Sequence, residues 1–318
     1  MIEYKEKSFG IRRKWINRLK ISKLAKSKYN VYGTFNSRKV EDNDVSTREL
    51  DVTDLEEITR MFSEIKPDYV INTTALHNVD YCEDNPDQAN AVNRDAVKIL
   101  HDNCEKRNAK LIHISTDYVF DGIKKSPYTE DDVPTPVSFY GESKLEGEKI
   151  LANTNYLIIR PSVVYGWTPF ELAGTPSSSG KPMNFALWLL TKLHKNEPLK
   201  IVTDQFASAT LADSIAESIL KMAESKTGGL FHVAGLSCES RYDFSNKLAK
   251  KFGYDESLIS KVDSSEFKQK AKRPAYSCLN CQKAINEFGL KLQTTEQSLE
   301  IMKKQVEQEA PHFLAENK

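Results

Sequence analysis

The sequence predicts an α/β fold: a doubly wound parallel sheet followed by a smaller C-terminal α/β region. Three observations carry this. Short β-branched and aromatic runs alternate with amphipathic helical runs from residue 29 to about 166. The intervals suit parallel strands joined by right-handed crossovers. After Tyr165 the texture changes to a loop rich in Gly, Pro and Ser, and shorter mixed elements follow. A sheet of this kind binds ligands at the carboxyl ends of its strands.

The elements follow in order. YNVYGTF (29–35) is a strand. DVTDLEEITRMFSEI (51–65) opens on Thr53 or Asp54 as a cap and repeats Leu55, Ile58, Met61, Phe62 and Ile65 at helical spacing. Pro67 ends that helix. DYVINTTA (68–75) is a buried strand, and residues 86–108 form a long amphipathic helix. KLIHISTDYVF (110–120) is a strand, SFYGESKLEGEKILAN (138–153) a helix and YLIIRPSVVYG (156–166) a strand. Residues 167–182 are a long loop. A helix (184–195), a strand (199–204) and a helix (210–225) come next, then the strand GLFHVAG and two or three further helices.

The 318 residues carry 45 Lys plus Arg against 45 Asp plus Glu, so the net charge is zero. That balance argues against a general nucleic-acid binder. No apolar run approaches a membrane span. With no apolar leader segment at the N-terminus, the chain reads as cytoplasmic. Five cysteines, an odd and small number, argue against a disulfide scaffold. Cys278 and Cys281 have C-x-x-C spacing without a second pair to complete a zinc site, and read as two thiols in a loop or helix start. No metal site emerges.

Tyr140 and Lys144 are the first chemical signal. At i and i+4 they share one helix face. A tyrosine of pKa near 10 is a poor acid at neutral pH, but a neighbouring ammonium stabilises the phenolate and lets the hydroxyl exchange a proton with a carbonyl oxygen. The spacing alone is common in helices. Its context is ISTDYVFDG (114–122), where Ser115 and Thr116 leave a buried strand at its carboxyl edge.

The combination STDYVFDG…PYTEDDVPTPVSFYGESKLEGEK resembles the extended short-chain dehydrogenase/reductase superfamily, with its Rossmann-like fold, and more closely the dTDP-4-dehydrorhamnose reductase family. That group also includes the regulatory β subunit of methionine adenosyltransferase. Supporting segments run from about Tyr29 to residue 300: LDVTD (50–54), INTTALHNVDYCEDNPDQANAVN (71–93), IIRPSVVYG (158–166), DQFASAT (204–210), SRYDF (240–244) and RPAYSCLN (273–280).

The resemblance implies reduction of a 4-keto deoxy nucleotide sugar, with Tyr140 as general acid, Lys144 lowering its pKa and holding the nicotinamide ribose, and Thr116 orienting the carbonyl. It implies further cofactor contacts from Asp51 and Val52 at the adenine and from Thr73, Thr74 and Ala75 at a strand end. Ser115, Arg160 and Ser162 are expected near the nicotinamide. Asn93 is either a site residue or a helix-capping or packing one. The turn after strand 29–35 holds Asn36, Ser37, Arg38 and Lys39 and no acid before Glu41, which favours NADPH, through Arg38, over NADH. Residues 1–165 are expected to form the dinucleotide-binding domain, with 198–226 returning to it. Residues 166–197 and 227–310 form the substrate-binding region. The expected partner is the nucleotide sugar, with no nucleic acid or membrane. Oligomeric state, a homodimer included, is left open. Two alternatives remain: a non-catalytic binding protein similar to the methionine adenosyltransferase β subunit, and an epimerase or dehydratase of the same superfamily. Val163 stands where the reductases commonly have Trp, and Ala207 and Ala209 replace a Gly and a Pro, which puts the particular sugar in doubt.

The superfamily's G-x-x-G-x-x-G turn is missing. Such a turn lets backbone amides approach a pyrophosphate at a helix N-terminus, yet the first 121 residues contain only Gly10 and Gly33. Residues 1–28 instead hold ten basic and two acidic side chains. A shifted reading frame over about Lys7 to Lys20 accounts for both facts. Read one base later, the codons of Ser8 to Lys20 permit L-V-S-G-(G/A)-(N/S)-G-L-I-G-S, and the codon across Trp15 and Ile16 becomes glycine. The rival reading is a genuine basic arm. On either, the first strand and phosphate turn within residues 1–21 are expected to be disrupted and the sheet to lack a central strand.

Overall fold

The computed structural model describes residues 7–11, 16–36, 45–168 and 184–314. Its centre is a seven-stranded sheet with every neighbouring pair parallel. In chain order its strands are β1 (Lys7–Ile11), β2 (Asn30–Phe35), β3 (Ser46–Glu49), β4 (Tyr69–Asn72), β5 (Lys110–Ile114), β6 (Leu157–Arg160) and β7 (Gly229–His232). Their spatial order is β7-β6-β5-β4-β1-β2-β3. The direction of winding reverses between β1 and β4, the position at which such sheets bind ligands.

The expectation of a lost central strand is corrected. β1 lies between β2 and β4, with Ser8 opposite both Val31 and Tyr69. Residues 7–11 (KSFGI) contain Phe9 and Ile11, apolar at alternate positions, enough to serve as a strand between two neighbours. Residues 12–15, where the glycine turn would fall, lie outside the described residues.

Helices connect the strands: α1 (Ile16–Ala25), α2 (Leu55–Ile65), α3 (Val79–Asp84), α4 (Pro86–Asn90), α5 (Ala96–Arg107) and α6 (Phe139–Leu151). Asp54 caps α2 by accepting the Glu57 amide. The helix expected over 86–108 is α4 and α5 joined by a π-helical segment, Ala91–Asp95. Strand β3 and helix α3 carry no clear periodicity, and the sequence does not predict them.

Consecutive strand residues point to opposite faces, and this splits the sheet's core in two. Val70, Leu111 and Ile158 pack with Ile58, Phe62, Val97 and Leu100 of α2 and α5. Ile71, Ile112 and Ile159 pack instead with Ile215, Ile219 and Met222. The latter come from α8 (Ala212–Ala223), which follows α7 (Phe185–His194). A third cluster builds the C-terminal region from Leu187 and Leu190 of α7, Phe244 and Leu248 of α9 (Arg241–Phe252), and Leu299 and Met302 near the C-terminus.

The domain boundaries shift accordingly. Helix α8 does return to the main sheet, but Leu199–Val202 pairs with Ile259–Val262 and joins the C-terminal core. Conversely, β7 was expected in the substrate region and is the edge strand of the main sheet, paired to β6.

Cysteine usage also departs from expectation. Cys238 and Cys278 form a disulfide with a Cα–Cα distance of 5.5 Å. Cys281 is a buried free thiol at the N-cap of a helix, Gln282–Phe288.

Candidate active site

Strand β5 ends at Ile114, and Ser115 and Thr116 follow at its carboxyl edge. Thr116 caps a short 3-10 turn (Asp117–Val119) by accepting the Tyr118 amide at 3.2 Å. Helix α6 lies against this turn. Ser138 caps it by accepting the Gly141 amide. Gly141 has no alternative: a Cβ there would lie 2.2 Å from the Tyr118 carbonyl oxygen. Gly147 serves the same purpose further along the helix, where a Cβ would meet the Asn93 carbonyl oxygen at 2.4 Å. The glycines of Y-G-E-S-K-L-E-G-E thus permit close contact between α6 and its neighbours.

Tyr140 is buried, and burial raises its pKa well above the ordinary tyrosine value, while a hydrogen bond with Thr116 pulls it down. Its ring meets that of Tyr118 edge-on at 5.8 Å. Lys144 is fully buried. Its Nζ donates to the Ile114 carbonyl at 2.7 Å and lies 3.4 Å from His113 Nε2. Burial lowers its pKa to about 8, against the opposing charge of Glu148. Thr116, Tyr140 and Lys144 therefore stand together at one strand end.

The remaining expected residues occupy neighbouring strand ends. Thr73 and Thr74 are buried after β4, and Ala75 is half-buried. Asp51 follows β3 and accepts both the amide and hydroxyl of Thr53, and Val52 is buried beside it. Arg38 lies outside the described residues. Ser115, Arg160 and Ser162 have protein partners. Arg160 reaches Glu148 through Nε at 2.9 Å and Nη2 at 2.5 Å, and Ser115 Oγ donates to the same carboxylate. Ser162 Oγ donates to Asp117 at 2.8 Å.

Several supporting residues, Asp117, Ser277, His113 and Glu148, escape the sequence reading. Asp117 accepts from Ser162, from Ser277 at 2.6 Å and from Thr116 at 3.2 Å. Burial raises its pKa and these hydroxyls oppose the rise. Ser277 lies in RPAYSCLN, so that distant segment reaches the turn that follows Thr116. Asn93 is wholly buried and bonds Leu76 and Ser143 Oγ, which makes it a packing residue in this arrangement. His113 lies in β5 with both ring nitrogens facing polar neighbours. Glu148 is visible in the sequence only as the last letter of a motif.

A cavity of about 640 Å³ adjoins the site through Tyr118 and Val79. Phe185 and Trp188 stack there with centroids 5.7 Å apart, and the Arg241 guanidinium lies 5.1 Å from the Phe185 ring. Arg273 also lines it and holds Asp80 of α3 with two bonds of 2.8 Å.

The model of the RmlD substrate binding domain matches residues 21–308. The chain belongs to this family. Among similar proteins, a probable low-salt glycan biosynthesis reductase of Haloferax volcanii is 34% identical over 258 residues, covering 80% of this chain and 83% of its own. A dTDP-4-dehydrorhamnose reductase of Sinorhizobium fredii is 35% identical over 246 residues, covering 73% and 78%. The crystal structure of a dTDP-4-dehydrorhamnose reductase from Bacillus anthracis in complex with NADP superposes with a TM-score of 0.80 at 25% identity, over 94% of this chain and 99% of that one. This RmlD-family chain therefore has the α/β, extended short-chain dehydrogenase/reductase fold that its motifs implied. No helix among its described residues is long and apolar enough to cross a membrane.

Proposed function

We propose that this chain is an NADPH-dependent oxidoreductase that reduces the 4-keto group of a deoxy nucleotide sugar, as dTDP-4-dehydrorhamnose reductases do. The observation that carries the reading is the meeting of Thr116, Tyr140 and Lys144 at the carboxyl end of β5, beside the Tyr118-lined cavity. The donor set at these strand ends fits a dinucleotide: a buried lysine amine and threonine hydroxyls flank the point where the winding reverses. Asp51, Val52, Thr73, Thr74 and Ala75 would line it, with Arg38 toward a 2′-phosphate. Bound NADPH supplies the hydride.

The protein itself contributes proton delivery and orientation. Tyr140 gives its hydroxyl proton to the carbonyl oxygen as the carbon is reduced, leaving an alcohol. Thr116 donates its hydroxyl proton in a hydrogen bond to that oxygen and orients the carbonyl. Lys144, as the ammonium, stabilises the phenolate left behind. Ser115, Arg160 and Ser162 act by holding α6 and the Thr116 turn in place. The aromatic pair Phe185 and Trp188 suits a nucleobase, and Arg241 suits the diphosphate beside it. Val163, Ala207 and Ala209 bear on which sugar fits.

The test is Tyr140→Phe. Turnover of a 4-keto deoxy nucleotide sugar should vanish while NADPH affinity, read by fluorescence titration, stays nearly unchanged. Surviving turnover would mean that another group is the acid.

A further inference from the structure

Beneath Lys144 lies a buried polar chain with no role in the hydride and proton transfers themselves. Asn72, at the end of β4, has its amide orientation fixed: Oδ1 accepts the Thr74 amide at 3.0 Å. Its Nδ2 therefore faces His113 Nδ1, at 3.0 Å, and donates to it. A ring nitrogen that accepts carries no proton. In the neutral imidazole the proton is then on Nε2. His113 is fully buried, and burial together with the Lys144 charge drives its pKa well below the ordinary value, so the ring stays neutral. Nε2–H points at Lys144 Nζ, 3.4 Å away.

We propose that His113 is a positioning residue for the reduction: it presents a hydrogen-bond donor to Lys144 Nζ and so favours the amine over the ammonium. An ammonium has only N–H bonds to offer an N–H, whereas the amine has a lone pair that accepts it. The other groups facing Lys144 act differently. The Ile114 carbonyl accepts from either form. Glu148, one turn along α6, favours the ammonium, but its carboxylate is shared with Arg160 and Ser115. Tyr140 lies one turn before on the same face. The Asn72–His113 pair thus offsets Glu148 and keeps Lys144 within reach of deprotonation. Regenerating the Tyr140 proton after each turnover needs such a group.

This inference rests on the role proposed for Lys144, and the experiment separates the two. The variants are His113→Asn, whose Oδ1 keeps the acceptor for Asn72 but loses the donor to Lys144, and His113→Gln, whose amide N–H reaches the Nε2 position. The first readout is the Lys144 pKa in the cofactor-free protein, followed by the carbon and nitrogen shifts of isotopically labelled lysine. The second is the alkaline limb of the kcat profile. In His113→Asn both should move up by about one pH unit, and His113→Gln should restore them toward wild type. An unchanged Lys144 pKa in a folded His113→Asn protein overturns the proposal. A raised Lys144 pKa with an unmoved kcat profile overturns the link to catalysis and faults the role given to Lys144, not the His113 contact.

Discussion

Asn93 and Leu76 exchange two hydrogen bonds: the Leu76 amide donates to Asn93 Oδ1 at 2.8 Å, and Asn93 Nδ2 donates back to the Leu76 carbonyl at 3.2 Å. The same Nδ2 reaches Ser143 Oγ at 3.0 Å, on the helix of Tyr140 and Lys144. One buried amide thus ties the chain leaving β4 to α6. It projects from the π-helical segment Ala91–Asp95.

Replacing that side chain leaves a part-buried backbone amide without its partner. Asn93→Ala takes the partner from the Leu76 amide and leaves the Leu76 carbonyl only the weaker Cys82 thiol at 3.3 Å, and a buried group left unpaired costs about 1–3 kcal/mol. We expect Asn93→Ala to lower unfolding stability by about 1–3 kcal/mol and to reduce kcat/KM, because residues 73–76 and α6 lose their common anchor. Urea unfolding and steady-state kinetics check both. A stability within error of wild type would show that Asn93 is dispensable.

Lys144 makes stability depend on pH in an unusual direction. Its pKa is lowered from 10.5 to about 8 by burial. Between those values the unfolded chain binds the proton and the folded chain does not, so this residue's contribution to stability rises with pH. Below pH 8 the folded state carries the full cost of a buried ammonium, on the order of 3 kcal/mol. Other buried groups oppose this at high pH, since burial raises the pKa of Cys82, to about 12, and of Tyr156. The comparison with Lys144→Met isolates the lysine's share. The variant should be the more stable at pH 7, and its advantage should shrink as the pH rises from 8 toward 10.5. An advantage that does not change with pH would place the lysine in water.

The disulfide supports the segment that reaches the turn after Thr116. Cys238 and Cys278 are 40 residues apart, and closing a loop of that length stabilises a fold by up to about 4 kcal/mol. Next to Cys278 is Ser277, whose hydroxyl holds Asp117. Mass measurement without reductant should find this pair linked and Cys82, Cys104 and Cys281 free. Cys238→Ser should lower the unfolding midpoint and weaken turnover. Equal stability with and without a reducing agent would rule the crosslink out.

Much of the fold is legible in the sequence because apolar periodicity is local. The run from Leu55 to Ile65 and the strand cores Val70–Ile71, Leu111–Ile112 and Ile158–Ile159 announce themselves by spacing. Strand β3 (STRE) has no apolar pattern, being an edge strand with one neighbour. Strand β1 is hidden because the missing turn motif counts against the strand beside it. At the site, Thr116, Tyr140 and Lys144 can be read from their motifs. Asp117, Ser277, His113 and Asn72 cannot, because their roles depend on pairings across 160 and 41 residues of chain. The Cys238–Cys278 link is hidden for the same reason: C-x-x-C spacing draws attention to the wrong partner.

The phosphate turn gives the remaining prediction. A dinucleotide's pyrophosphate is held by backbone amides in a glycine turn at the head of α1, and the described residues of α1 begin at Ile16. The sequence has no glycine between Gly10 and Gly33. Two charge-assisted bonds lost, at ~1.5–3 kcal/mol each, weaken binding by about two orders of magnitude or more. Exchanging Ser8–Ser22 for a segment that carries L-V-S-G-G-N-G-L-I-G-S, matched in length, should therefore tighten NADPH binding by at least about a hundredfold, measured by titration on both chains. It should raise turnover at low NADPH while leaving the pH profile of kcat unchanged, because Tyr140 and Lys144 are untouched. Equal NADPH affinity in the two chains would mean that the basic segment itself serves the phosphates. No measurable binding in either would favour the non-catalytic reading, in which this fold presents a surface to a partner and Tyr140 has no proton to give.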